Sequence, residues 1–316
     1  MEFVEVRVPT FRRPGLLRRA LLSLRSQSYS QWRALVFDDS PGLEAEDVVR
    51  ALGDSRILYR ANSRKLGACG NISQCFRTRP YAGGDYVFVL EDDNYLLPEY
   101  IERNIVCLET HSVAVVLRNQ LIEEVREYGV AGSLAGRTTL GDLYREGLYR
   151  PLEFKISLLF AIGVSNGGLF WRASANTDFA VGDVTWNAVV QEKVRTFRLR
   201  DPLYFAAEPL AVWRANAGET CRAPLLHGQV ARWQSNLKRK RTVQEMRRHV
   251  LREIAAEGQL DYLMEPRFRV PQALIEQGVR TSCERWPAMS TLTKPQRFKF
   301  RLLGWLLRLC VRPAAI

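Results

Sequence analysis

The chain has 316 residues, 47% of them hydrophobic and 25% charged, with a formal net charge of +12. These proportions belong to a folded protein with a sizeable core and exclude a disordered or low-complexity chain. Six cysteines (Cys69, Cys75, Cys107, Cys221, Cys283, Cys310) form no CxxC pair and three histidines stand away from them, which argues against zinc; with no apolar export segment at the N-terminus, the pattern predicts reduced thiols in a cytoplasmic protein.

The first third alternates short apolar runs with helical patterns, as parallel sheets with crossover helices do. Val4–Val8 predicts a strand ended by Pro9, and Pro14 suits the first turn of a helix in which Leu17, Leu21 and Leu24 recur as far as Gln27. A second strand, Ala34–Phe37, closes on Asp38 and Asp39. Ile57–Tyr59 predicts a third strand, Gly67–Arg77 a helix, and Tyr86–Leu90 a fourth strand running directly into Glu91, Asp92 and Asp93. Two strands therefore finish in acidic clusters, where an open α/β sheet binds its ligands. Pro98–Thr110 then predicts a helix and Val113–Leu117 a strand. The signal blurs from Gly129 to Gly168, and Leu203–Arg214 is extended again.

After Pro224 the pattern turns helical and basic. Lys and Arg number 28 against 27 Asp and Glu over residues 1–224, but 18 against 7 over residues 225–316. Such a tail attracts polyanions. The change of character places a boundary near residue 224, and there is no internal repeat.

The segment YVFVLEDDNYLLP (Tyr86–Pro98) carries the clearest chemistry. Adjacent carboxylates repel one another, and a hard divalent cation with oxygen ligands, Mg2+ or Mn2+, offsets that repulsion and can bridge to a diphosphate. The competing reading is a solvated acidic turn that caps the next helix.

Together with VEVRVPTFRRPGLLRRALLSLR (Val4–Arg25), WRALVFDDS (Trp32–Ser40) and NSRKLGACGN (Asn62–Asn71), that segment resembles the family 2 glycosyltransferases of the GT-A fold. The resemblance is strong over residues 3–110 and weaker over 165–220. It implies a doubly wound, Rossmann-like mixed α/β sheet over residues 1–224, with a donor half (1–110) and an acceptor half (111–224); the helical basic extension over 225–316 lies beyond the resemblance. It implies a nucleoside-diphosphate sugar donor, inverting transfer, and Mn2+ or Mg2+ as cofactor. Pro9, Thr10, Phe11 and Asp39 are implied to hold the base, with an aromatic to stack and a carboxylate to accept the imide hydrogen of uracil or thymine. Asp93 is implied as the metal ligand. Glu91 departs from the family's DxD pattern, and its longer arm reaches toward the ribose or a metal-bound water beside Asp92. Gly70 and Asn71 stand where the family often shows Arg-Asn, so Arg64 or Lys65 is the expected phosphate contact.

GVSNGGLFWR (Gly163–Arg172) and Asp178–Arg214 are similar to the family's acceptor half. Asp183 is implied as the base that takes the acceptor's proton, although Gly182 replaces the family's first acidic residue there. Asp178 is the alternative base, and a helix cap ahead of Trp186 is the structural alternative for Asp183. Asn216 takes the place of a family histidine. Trp186 and Trp233 are acceptor candidates; QVARW (Gln229–Trp233) resembles the QxxRW motif of processive synthases, but no apolar run approaches the roughly 18 residues that span a bilayer.

Residues 296–312 set Phe298, Leu302, Trp305, Leu306 and Leu309 on one helical face and Arg297, Arg301, Arg308 and Arg312 on another. That face suits an anionic membrane surface, which would make the protein peripheral on the inner leaflet, or else packing on the catalytic domain. The expected acceptor is a glycan, a lipid-linked glycan or a small metabolite. A sugar nucleotidyltransferase would need a glycine-rich phosphate loop that PTFRRPG does not supply. A noncatalytic polyanion binder would use the basic tail, but no specific nucleic-acid motif accompanies it.

Overall fold

The computed structural model describes residues 2–125, 132–216, 229–264 and 267–283. The basic amphipathic segment 296–312 lies outside them, as do the side chains of Asp183, Asn216 and Trp233. In chain order, the donor half consists of β1 (Val4–Thr10), α1 (Pro14–Arg25), β2 (Trp32–Asp38), α2 (Glu44–Leu52), β3 (Ile57–Ala61), α3 (Gly67–Gln74), β4 (Tyr86–Val89), β5 (Tyr95–Leu96) and α4 (Tyr100–Thr110). There follow β6 (Val115–Arg118), β7 (Leu121–Val125), β8 (Ser133–Thr138), β9 (Gly147–Tyr149), α5 (Pro151–Lys155), β10 (Leu169–Arg172), α6 (Ala188–Phe197), β11 (Leu203–Ala206) and β12 (Ala211–Asn216). The chain ends in α7 (Gln229–Ala256), α8 (Asp261–Met264) and α9 (Gln272–Cys283).

Eight strands form the main sheet in the order β3-β2-β1-β4-β10-β6-β11-β9. The first four are mutually parallel; β10 runs antiparallel between β4 and β6, and β9 antiparallel beside β11. A smaller sheet, β5-β12-β7-β8, stands beside it.

The two-residue period of the strands divides the core. Ala34, Val36, Tyr86 and Phe88 pack on one side with Leu17, Leu21 and Leu24 of α1. Leu35, Phe37, Val87 and Val89 pack on the other with Phe76 and the helices of the second half. Val243, Met246, Val250 and Ile254 of α7 enter this second core beside Phe154 and Leu158. The C-terminal helices therefore close the acceptor half rather than standing apart beyond residue 224.

Several boundaries differ from the sequence expectation for physical reasons. Pro9 does not end β1, which continues to Thr10 and pairs Pro9 with Phe37. The carbonyl of Arg7 accepts from Leu90 N at 3.0 Å, so Pro9, two residues on, turns its missing N–H toward the side where β4 has run out. The Leu203–Arg214 segment is two strands in two different sheets, broken at Glu208 and Pro209. The helix from Gly67 stops at Gln74 rather than Arg77, because the carbonyls of Cys75, Arg77 and Arg79 turn inward to the buried guanidinium of Arg7.

Candidate functional site

The parallel strands β1, β2 and β4 deliver their acidic ends to one edge of the sheet. Thr10 is the hub. Its backbone carbonyl accepts from Asp39 N at 3.1 Å and from Asn71 Nδ2 at 3.1 Å, and its hydroxyl donates to Asp92 Oδ2 at 2.8 Å. Asp39, on the end of β2, and the acidic triplet, on the end of β4, are thus joined through one residue of β1.

Asp39 is buried and accepts from Leu66 N at 2.7 Å, Gly67 N at 2.8 Å and Asn62 Nδ2 at 3.0 Å. It fixes the entry to α3, where Gly67 turns the chain at φ +72°. A carboxylate has about four acceptor positions, so one remains for a ligand. Phe11 is half-buried next to it, with Lys65 Nζ 5.1 Å and Arg12 Cζ 5.4 Å from its ring centre. Lys65 is thereby placed beside the aromatic expected to stack on the base. Pro9 and Thr10 are buried strand residues that position Phe11 rather than presenting side chains of their own.

Asn71, also expected among the donor-site residues, is buried. Its Nδ2 donates to Thr10 and Phe37 carbonyls, and its Oδ1 accepts from Asn62 and Gln74, so every polar position is used within the protein. It ties β1 to β2 beneath the site.

In the acidic triplet, Arg13 donates to Asp92 Oδ1 at 3.2 Å and to Asp93 Oδ2 at 2.7 Å. Asp92 also accepts from Thr10 and Phe11 N, which leaves it a supporting role. Glu91 accepts from Asn94 Nδ2 at 3.0 Å. Burial, then the charges of Asp93, Glu192 and Asp92, push the Glu91 carboxyl up to about 8. Burial and the charge of Asp93 push Asp92 up to about 7, against the pull of Arg13. Burial and mutual repulsion thus bias the Glu91 and Asp92 carboxyls toward their protonated forms even with Arg13 in place. Arg19 donates to the Asp93 carbonyl at 2.7 Å and to Glu123 at 2.9 Å, anchoring α1 over the turn.

Among the described residues no three His, Cys, Asp or Glu groups converge as a metal cage. The oxygen donors present suit a hard divalent ion that takes one or two carboxylates and completes its shell with phosphate and water. Asp93 is the carboxylate of the triplet with the most open side chain of the two that Arg13 pairs, 15% against 7% for Asp92.

The acceptor half contributes groups that the sequence did not reveal. Because β10 runs antiparallel to β4, the turn Asn166–Gly168 that precedes it lies at the same edge as the triplet. A β-carbon on Gly168 would stand 2.5 Å from the backbone carbonyl of Arg118, so a glycine is needed there, and one on Gly167 would stand 2.8 Å from the side-chain Nε2 of Gln120. Asn166 N donates to Glu192 Oε1 at 3.3 Å, and Arg195 Nη1 donates to Asn166 Oδ1 at 2.7 Å. Gln191 Nε2 donates to the Cys69 carbonyl of α3 at 2.9 Å. Helix α6 is thus fastened to both sides of the site. Burial raises the proton affinity of Glu192 and lowers that of Arg195.

Asp183 sits in the 3-10 turn Gly182–Trp186, which packs on α3. Asp178 is exposed, accepting from Thr78 Oγ1 at 2.7 Å and Ala180 N at 3.0 Å. Trp186 is half-buried against the second core, with Lys238 Nζ 4.9 Å from its ring centre.

Residues 5–157 match the family model described as Glycosyl transferase family 2. WcaA of Escherichia coli K12, named for colanic acid biosynthesis, is 32% identical over 163 residues, 49% of this chain and 54% of its own length. The GalNAc(5)-diNAcBac-PP-undecaprenol beta-1,3-glucosyltransferase of Campylobacter jejuni is 35% identical over 100 residues, 31% of each chain. The chain spans about half, or less, of the length of these curated relatives. Among solved structures, S. aureus TarS 1-349 in complex with UDP-GlcNAc superimposes with a TM-score of 0.57 at 14% identity, covering 98% of this chain and 81% of that one.

Proposed function

On the premise that the chain has the GT-A fold and that its residues 5–157 belong to glycosyl transferase family 2, we propose that the protein transfers a sugar from a nucleoside diphosphate to an acceptor hydroxyl with inversion. The observation that supports this reading is the Asp39–Thr10–Asp92 chain of hydrogen bonds, which joins the carboxylate proposed for the base to the acidic turn proposed for the diphosphate. Phe11 stacks on a uracil or thymine ring, with Asp39 accepting its imide hydrogen. Lys65 supplies positive charge beside the phosphates.

When bound, Mn2+ or Mg2+ held by Asp93 would act as a Lewis acid against the charge that builds on the departing diphosphate. Arg13 holds the triplet in register for that role. Asp183 takes the proton of the acceptor hydroxyl as that oxygen attacks the anomeric carbon from the face opposite the nucleotide. The naming of the Campylobacter relative for an undecaprenol-linked acceptor supports a lipid-linked glycan here. Among the described residues no helix is long and apolar enough to cross a membrane; contact with a lipid surface falls to the basic segment 296–312.

Slow hydrolysis of a nucleotide-sugar panel tests the reading. Release should require Mn2+ or Mg2+, stop with EDTA, and fall by about 100-fold in Asp93→Ala. Asp183→Asn should keep donor binding and lose transfer to an acceptor. Metal-independent release at the wild-type rate in Asp93→Ala would overturn the assignment, and full transfer by Asp183→Asn would move the base elsewhere.

A further inference from the structure

Among the described residues, three of the nine buried polar side-chain atoms without a hydrogen-bond partner lie on α6. Gln191 and Arg195 are both fully buried, yet Gln191 Oε1 and Arg195 Nε and Nη2 have no hydrogen-bond partner. Buried polar atoms are nearly always paired, so an acceptor and two donors left open one turn apart mark a place that something else completes. Arg195 is fixed by its bond to Asn166 and by Phe76, whose ring centre lies 3.7 Å from its Cζ. The negative charges acting most strongly on its guanidinium are Glu192 and Glu91. Unlike Gln191 and Arg195, the residues Glu91 and Glu192 are only partly buried.

The position is set by the Asn166–Gly168 turn. On one side it holds Glu192 through Asn166 N. On the other it lies against Asn94, whose Nδ2 would be 3.5 Å from a β-carbon on Gly167 and which donates to Glu91. Glu91 and Glu192 therefore stand on either side of this turn, near enough to Asp93 that the charges of Asp93 and Glu192 act together on the Glu91 carboxyl. A group attached to a diphosphate at Asp93 would meet these two carboxylates. Hydroxyls, which donate and accept at once, match a floor offering carboxylate acceptors over guanidinium donors.

We propose that Glu192, backed by Arg195, Gln191 and Asn166, grips a hydroxyl of the sugar carried by the nucleotide and so helps set which sugar is accepted. This rests on the nucleotide-sugar reading above. It makes Glu192 a specificity-determining residue contributed by the acceptor half to the donor pocket.

The test compares binding of UDP with binding of UDP-glucose and UDP-GlcNAc, by calorimetry in Mn2+, to the wild-type protein, Glu192→Gln and Glu192→Asp. Glu192→Gln retains an oxygen for Asn166 N, and each variant serves as its own control because general damage to the fold weakens all three ligands alike. The expected result is a loss of about 10-fold for at least one UDP-sugar, the effect of one hydrogen bond to a charged group, with UDP changed less than about 2-fold. Equal weakening of UDP and the UDP-sugars, or no change in any of them, would overturn the assignment of Glu192. A wild-type protein that binds none of the three would instead overturn the nucleotide-sugar reading, and this inference with it.

Discussion

Two arginines are buried on the same side of the main sheet, and the protein treats them differently. Arg7, on β1, donates to Glu5 at 2.7 Å, to the carbonyls of Cys75 and Arg77 at 2.8 and 2.6 Å, and to that of Arg79 at 3.3 Å. Glu5 in turn accepts from Tyr81 N and Ala82 N. That cluster is closed and pins the loop between α3 and β4 to the strand that carries Thr10. Arg195 lies over Phe76, between the two ends of that same connection, yet bonds only Asn166 and leaves Nε and Nη2 open. The contrast separates a guanidinium spent on architecture from one held in reserve next to a cleft.

Stability measurements can break or sharpen that contrast. The largest effect is expected for Arg7→Met. Removing one partner of a buried ion pair leaves Glu5 charged and three carbonyls without a donor, so urea denaturation should show a loss of about 3–5 kcal/mol. A loss under about 1 kcal/mol would mean that the closed cluster is not structural. A smaller effect, about 1 kcal/mol, is expected for Arg195→Met, which gives up one hydrogen bond and keeps a side chain able to pack on Phe76. If Arg195→Met costs as much as Arg7→Met, its donors are satisfied and the cluster belongs to the fold rather than to a ligand.

The donor half was legible because each element there carries a local signal. Alternating apolar residues mark β1, β2 and β4, Pro14 marks the start of α1, and the acidic residues appear where the strands run out. The expectation that Asp39 and the triplet share one edge follows from parallel strands alone, and Thr10 joins them. The tie that Asn71 makes between β1 and β2 had no signal in the sequence, since it depends on which carbonyls face its side chain.

The groups on α6 had no comparable signal. Gln191, Glu192 and Arg195 are polar residues interleaved with Val190 and Val194 on one helix, and Gln191 and Arg195 are buried. The turn that meets them precedes β10, whose place between β4 and β6 is a pairing across the chain that no local pattern announces. The one available hint was Asn166-Gly167-Gly168 ahead of an apolar run, a sequence that permits close backbone approach. Asp178, the alternative base, accepts from Thr78 Oγ1 and Ala180 N.

The central claim is that the ends of β1, β2 and β4 form a single nucleotide site. A crystal structure with UDP and Mn2+ tests it most directly. The uracil should lie on Phe11 with its imide at Asp39, and the diphosphate should reach Asp93 with the metal between them. A nucleotide bound elsewhere, or one that touches Asp39 while Asp93 remains closed on Arg13, would contradict the account.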